Sequence, residues 1–177
     1  AKLSKLKSIV NVLLNNNKKA LIWSTHLKTI ELIKRELALE KINIKSITGK
    51  TKLWEREKIK NEFNDQSSNL DIIIAIPQAC SESISLHKAC QNAIYYDLNY
   101  NTAEFLQSLD RIHRVGGSED NPVYYDFLQY ENSIDVKVYE RVFQKADRQM
   151  QVIEQDNLTF SHPEDEDWDD LYNNLNI

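Results

Sequence analysis

Three glycines, Gly49, Gly116 and Gly117, are all that the 177 residues contain. The shortage matters most at "SITGKT", residues 46–51, which ends like a phosphate-binding P-loop. The full pattern is G-x-x-x-x-G-K-[ST], set between a strand and a helix. Its first glycine would stand where Ile44 is, and a branched side chain does not take the tight turn that glycine permits. Ile42, Ile44 and Ile47 read as a strand instead. Half of a short motif is weak evidence, so the P-loop reading is set aside.

Cysteine is scarcer still. Cys80 and Cys90 form no C-x-x-C pair and have no histidine at ligand spacing, and His26 and His87 are not placed like ligands. No metal site is expected, and a reducing cytoplasm is the default compartment. No apolar run reaches the length of a membrane span, and the start does not read as a signal peptide. The chain opens directly into a helix-like stretch, which reads as a piece of something longer.

Basic residues are missing from the C-terminal end. All 22 Lys and Arg lie at or before Arg148, while seven of the 27 acids lie in residues 156–177. Residues 1–155 therefore hold 20 acids against 22 bases, a net of +2, although the whole chain carries −5. The expected division is a mildly basic body, 1–155, and an acidic, flexible tail, 156–177. Trp168, Leu171, Tyr172 and Leu175 could form a short amphipathic set there, but a solvated tail is the expectation.

What is present alternates between two periods. Leu3, Leu6, Ile9, Val10, Leu13 and Leu14 mark a helix over 2–15. "KALIWS", 19–24, is a short apolar strand, and Leu27, Ile30, Ile33 and Leu37 mark the next helix. A strand is expected over 42–47 and a helix over 52–64. The continuous apolar runs at 70–76 and 92–98 read as buried parallel strands. A helix over 102–113, a strand over 122–128 and a long helix striped by Ile134, Val138, Val142, Ala146, Met150 and Ile153 complete the chain. This alternation predicts an α/β domain with a mostly parallel sheet. The segment between the strands at 70–76 and 92–98 has no strong helix pattern and leaves a strand's C-terminal end, where open α/β sheets place ligands.

The run "NTAEFLQSLDRIHRVGG", 101–117, carries the most chemistry. Asn101 can cap the helix, with Glu104 closing a capping-box variant. Phe105, Leu109 and Ile112 share one face, and Gln107, Arg111 and Arg114 share the opposite one. Two arginines one turn apart make a fork suited to phosphate oxygens. Spacing alone favours an ordinary solvated helix face, with Asp110 pairing locally, because surface arginines are common.

"QSLDRIHRVGG" resembles the Q-x-x-[DG]-R-x-[HG]-R-x-G block, motif VI, of superfamily 2 helicases, and is closest to the Swi/Snf-like group. Other blocks follow in that family's order. "KKALIWSTHLKTIELIKREL" looks like motif IV. "ITGKTKLWEREKIKNEFN" is similar to G-x-[ST]-x-x-x-x-R-x-x-x-x-x-x-F, which puts Gly49 on a turn, with Arg56 and Phe63 downstream. "DIIIAIPQACSESISLHKACQNAIYYDLNYN" resembles motif V and the strand after it, with Ser83 where the family has a glycine and Ser85 where it has an asparagine.

The resemblance implies the second RecA-like domain of a helicase-type ATPase, a three-layer α/β fold. It implies half of a two-domain ATP hydrolase, with ATP and Mg2+ held mainly by a preceding RecA-like domain, and residues 1–177 inactive alone. Arg114 falls on the arginine-finger position and Arg111 on its partner, with Gln107 and Ser83 also toward the nucleotide. DNA, expected to be double-stranded, would lie along the strand ends. Ser24, Thr25 and Lys28, then Thr48, Gly49 and Lys50, then Pro77 and Gln78 are the candidates there, suited to phosphate contacts without base reading. The alternative is a non-catalytic module of the same fold that docks DNA or protein. Trp23 and Trp54 are expected in the core or at domain packing, and His113 is expected to be structural.

Overall fold

The computed structural model describes residues 1–80, 85–113 and 122–153, with side chains as far as residue 149. The chain runs α1 (Lys2–Asn15), β1 (Ala20–Trp23), α2 (Leu27–Leu39), β2 (Ile44–Ile47), α3 (Leu53–Asn64), β3 (Ile72–Ala75), β4 (Asn92–Tyr95), α4 (Thr102–Leu109), β5 (Tyr124–Phe127) and α5 (Ile134–Ile153). A single 3-10 turn, Pro77–Cys80, follows β3. The five strands form one sheet in the order β2-β3-β1-β4-β5, and every pairing is parallel.

Alternation along the central strands sorts the core into two layers. Leu21 and Trp23 of β1, Ile73 and Ala75 of β3, and Ala93 and Tyr95 of β4 face one side. There they meet Ile59 and Phe63 of α3, Phe105 and Leu109 of α4, and Val138, Val142, Phe143 and Ala146 of α5. Ala20, Ile22, Ile72, Ile74 and Ile94 face the other side, against Leu6 and Val10 of α1 and Ile30, Ile33 and Leu37 of α2. Both faces of the sheet are thus covered. That is why β1, β3 and β4 are apolar throughout rather than alternating with polar residues. The result is the three-layer RecA-like architecture that the sequence predicts.

The glycine shortage shows at the helix ends. Asn17, after α1, and Lys41, after α2, adopt left-handed φ values of 55° and 60°. Glycine commonly takes this position past a helix end, and asparagine tolerates it better than lysine does.

Two expectations need adjustment. The helix predicted over 102–113 stops at Leu109. Residues 108–113 continue in tighter turns, with the Arg111 N–H on Ser108 O and the Ile112 N–H on Leu109 O. Two side chains add to these backbone bonds. The Arg111 Nε donates to Gln107 O at 3.0 Å, and the Tyr125 hydroxyl donates to Leu109 O at 3.0 Å. Trp54 is 65% exposed at the start of α3, whereas Trp23 is fully buried. Of the two expected roles, core and domain packing, the core is excluded for Trp54 and domain packing is left open. The expected boundary at 155/156 and the whole acidic segment lie outside the described residues.

Candidate nucleic-acid interface and nucleotide face

Parallel strands bring their C-terminal ends to one edge, and the loops leaving β1, β2 and β3 meet there. Leu27, Gly49, Lys50, Arg56, Ile76, Gln78 and Ala79 line an open groove of about 320 Å³. Candidates from two strand ends, Gly49 and Lys50 after β2 and Gln78 after β3, are thereby brought to one place. Lys28 stands exposed one residue after Leu27, and Pro77 is half-buried beside Gln78.

The β2 end is a compact turn held by its own threonines. The Thr48 N–H donates to Thr51 Oγ1 at 3.0 Å, the Lys50 N–H to Thr48 Oγ1 at 3.3 Å, and the Thr51 N–H to Thr48 O at 3.0 Å. Both hydroxyls are engaged inside the turn, and Gly49 and Lys50 are left exposed at its tip. Gly49 is not in the left-handed region, and a Cβ built on it would meet no atom within 4 Å. The turn itself does not require glycine. Its bare backbone instead leaves open space over the groove.

The β1 end is organised by a residue that sequence reasoning missed. Asp97, two residues past β4, accepts from Ser24 Oγ at 2.7 Å, from the Thr25 N–H at 2.6 Å and from Thr25 Oγ1 at 2.5 Å. Ser24 is fully buried. Its hydroxyl and that of Thr25 orient the loop by way of Asp97, and Lys28 stands exposed in the first turn of α2 that follows. An acid directly after the apolar run "AIYY" was the available signal.

Arg56 was legible only as a family position, yet it joins two of these loops. Its Nε donates to Thr51 O at 2.9 Å, its Nη2 to Thr48 O at 3.3 Å and its Nη1 to Ala79 O at 2.6 Å. One planar guanidinium thus closes the β2 turn and ties it to the 3-10 turn after β3.

Two of the nucleotide candidates, Gln107 and Arg111, sit at the far end of α4. That helix is bolted to the sheet by Tyr95, whose hydroxyl lies 2.6 Å from Ser108 Oγ inside the core. Burial drives the Tyr95 phenol well above its ordinary pKa, so it stays a neutral hydrogen-bonding group. Gln107 is exposed and Arg111 half-buried, while Phe105, Leu109 and Ile112 are each no more than 2% exposed. The Arg111 carbonyl accepts from the Leu86 N–H at 2.8 Å, which fastens the segment after residue 84 to the turn after α4. Ser85 Oγ lies 2.6 Å from His87 Nδ1, and Asn64 donates to Ser85 O at 3.2 Å. Arg114 and Ser83 lie outside the described residues. Cys80 is buried, and desolvation pushes its thiol up to about 12 against the nearby positive charges of Arg56 and Arg111. Cys90 is likewise buried and pushed up to about 12. Neither is a nucleophile at neutral pH.

Residues 1–116 match the family model described as helicase conserved C-terminal domain. The chain belongs to that family. Among curated relatives, this helicase C-terminal domain is 30% identical over 150 residues to the ATP-dependent DNA helicase DDM1 of Arabidopsis thaliana, a match covering 85% of this chain and 19% of that protein. It is 27% identical over 155 residues to the chromatin-remodeling ATPase INO80 of Candida glabrata, covering 87% of this chain and 10% of the relative. The crystal structure of the C-terminal part of the Fun30 ATPase domain superposes with a TM-score of 0.72 over 98% of this chain and 52% of that one, at 21% identity. The Swi/Snf-like resemblance read from residues 18–117 holds, and so does the RecA-like fold. This helicase C-terminal domain spans a fifth or less of the length of these two curated relatives. Among the described residues no helix is long and apolar enough to cross a membrane.

Proposed function

We propose that this domain is the second motor domain of a DNA-stimulated ATPase, and that its strand-end groove is part of the track for a DNA backbone. The observation that carries the reading is the convergence of Gly49, Lys50 and Gln78 on one groove, beside Lys28, at the edge where α/β sheets place ligands. An exposed lysine, a bare glycine backbone and an amide suit phosphate oxygens and carry no base code. Double-stranded DNA is the substrate this reading takes, with sequence-independent, salt-sensitive binding.

On the other side of α4, Arg111 and Arg114 would face the phosphates of ATP held by a preceding RecA-like domain. An arginine reaching the transferring phosphoryl group stabilises charge on its equatorial oxygens, worth on the order of 10³ to 10⁵ in rate. Arg114 takes that role by its motif position and Arg111 that of its partner; Arg111 is anchored at both its Nε and its carbonyl. Gln107 and Ser83 complete the nucleotide side. As the resemblance implies, Mg2+ would be held with the phosphates mainly by carboxylates of the preceding domain.

The non-catalytic alternative draws on Ser83 and Ser85, which stand where the family has a glycine and an asparagine. A chromatin substrate, such as the INO80 name carries, would place the protein with the chromosomes. The cytoplasmic expectation rested only on a reducing compartment.

The test compares ATP hydrolysis by the full-length protein, with and without double-stranded DNA, against a purified 1–177 fragment. DNA-stimulated turnover by the former and none by the latter is expected. Turnover by the fragment at ordinary enzyme rates would overturn the half-site reading.

A further inference from the structure

One carboxylate lies between the groove and the helix that leads to the arginines. Glu104, in the first turn of α4, accepts from the Gln78 side-chain amide at 2.6 Å, from Asn99 at 2.9 Å and from Asn101 at 2.6 Å. The Asn101 side chain in turn accepts from the Glu104 N–H at 3.3 Å, capping the helix. An ionised carboxylate is acceptor-only, so all three amides must turn their NH2 groups toward it. Gln78 belongs to the groove wall, on the 3-10 turn that Arg56 grips through Ala79. Asn99 and Asn101 belong to the loop that begins at Asp97, the residue holding the Ser24–Thr25 loop.

α4 is well suited to carry a displacement. Eight residues span about 12 Å. Its last turn is fixed to the sheet through the Tyr95–Ser108 contact and the Tyr125 hydroxyl on Leu109 O. Arg111 follows two residues on, so a shift of the first turn pivots the helix about that anchored end. Coupling between two sites requires an element whose position both sites bias. The 3-10 turn and α4 are joined through Gln78 and Glu104.

Resting on the functional reading above, we propose that Glu104 is a positioning residue that couples occupation of the groove by a DNA backbone to the placement of Arg111. A phosphate drawn to Gln78 shifts the amide that Glu104 holds, and the first turn of α4 follows it. Glu104 touches neither DNA nor nucleotide. Its removal therefore uncouples the two sites without abolishing either.

The experiment measures ATP turnover of the full-length protein across a titration of double-stranded DNA, with direct DNA binding in parallel, for wild type, Glu104→Ala and Glu104→Gln. Glu104→Gln keeps the size of the side chain and sets one amide against the three amides that faced the carboxylate. Basal turnover within about twofold and DNA affinity within about threefold of wild type are expected, with maximal stimulation reduced at least about fivefold in both variants. Adding Gln78→Ala to Glu104→Ala should lower stimulation little further, since the two side chains act as one link. Stimulation equal to wild type in both variants overturns the proposal. So does a proportional fall of basal and stimulated rates in Glu104→Gln, which would mark a merely structural role. If the wild type itself showed no stimulation by DNA, the functional reading would fail first, and the two failures are told apart by that control.

Discussion

The Arg56 guanidinium and the Ala79 carbonyl meet at 2.6 Å, and this contact joins the turn after β2 to the turn after β3. The same side chain holds Thr48 and Thr51, so three carbonyls from two loops depend on it. Without it, the groove walls have no direct side-chain tie of this kind among the hydrogen bonds described.

Arg56→Ala should therefore damage the groove more than the fold. Hydrogen bonds from a charged group to carbonyls that then turn to water are worth about 1–3 kcal/mol together at a half-buried site. The melting temperature should drop by a few degrees, and DNA affinity should fall by about tenfold as the loops separate. Arg56→Lys should recover little of the affinity, because an ammonium cannot span three carbonyls in one plane. Thermal unfolding and fluorescence anisotropy with labelled duplex check both parts. Unchanged DNA affinity in a folded Arg56→Ala variant would show that the two turns need no tie.

Gly49 separates the needs of the fold from those of the ligand. A Cβ there meets nothing within 4 Å. Gly49→Ala should leave stability within about 0.5 kcal/mol of wild type. Gly49→Leu should be similarly neutral for folding and should weaken duplex binding, since its side chain would fill the space over the groove. Equal DNA affinity for Gly49→Leu would move the DNA contact elsewhere.

The acidic segment offers an electrostatic test. Deleting residues 156–177 removes seven acids and no base. The remaining body has a net charge of only +2, so few local phosphate contacts carry its binding. Duplex affinity of the domain should rise on deletion, most at low salt, where like charges are least screened. Identical affinity at 50 mM salt, a concentration of the order used in such titrations, would exclude an electrostatic effect of this segment.

Element order was legible because the sequence changes period cleanly. The apolar runs of β1, β3 and β4 could only be buried strands, and the 3.6-residue stripe of α5 could only be a helix against them. The end of α4 was misread by a turn. Ile112 continues the helical spacing and is buried, but it reaches the core from a tighter turn whose carbonyls are met by Arg111 and Tyr125. The groove was legible in part, through strand-end placement of Lys50 and Gln78. Its organisers were not. Asp97 on Ser24 and Thr25, Arg56 on Ala79 and Glu104 on Gln78 act far from themselves in sequence, and no periodicity encodes such partners; only the local pairing of Glu104 with Asn101 at the helix start was legible. Ser24 was chosen for its hydroxyl, and only the fold reveals that the hydroxyl is spent on Asp97.

The central claim is that this domain supplies an arginine to ATP hydrolysis on a DNA track. Single-turnover and steady-state hydrolysis by full-length Arg114→Ala, with saturating double-stranded DNA, tests it most directly. ATP and DNA binding should persist, and the hydrolytic step should fall by roughly 10² or more, because charge aimed at the transition state is gone. Arg114→Lys should rescue poorly. Lys137→Ala, an exposed substitution on α5, should turn over near the wild-type rate. Normal DNA-stimulated hydrolysis by Arg114→Ala would contradict the account and leave the non-catalytic binding module as the better reading.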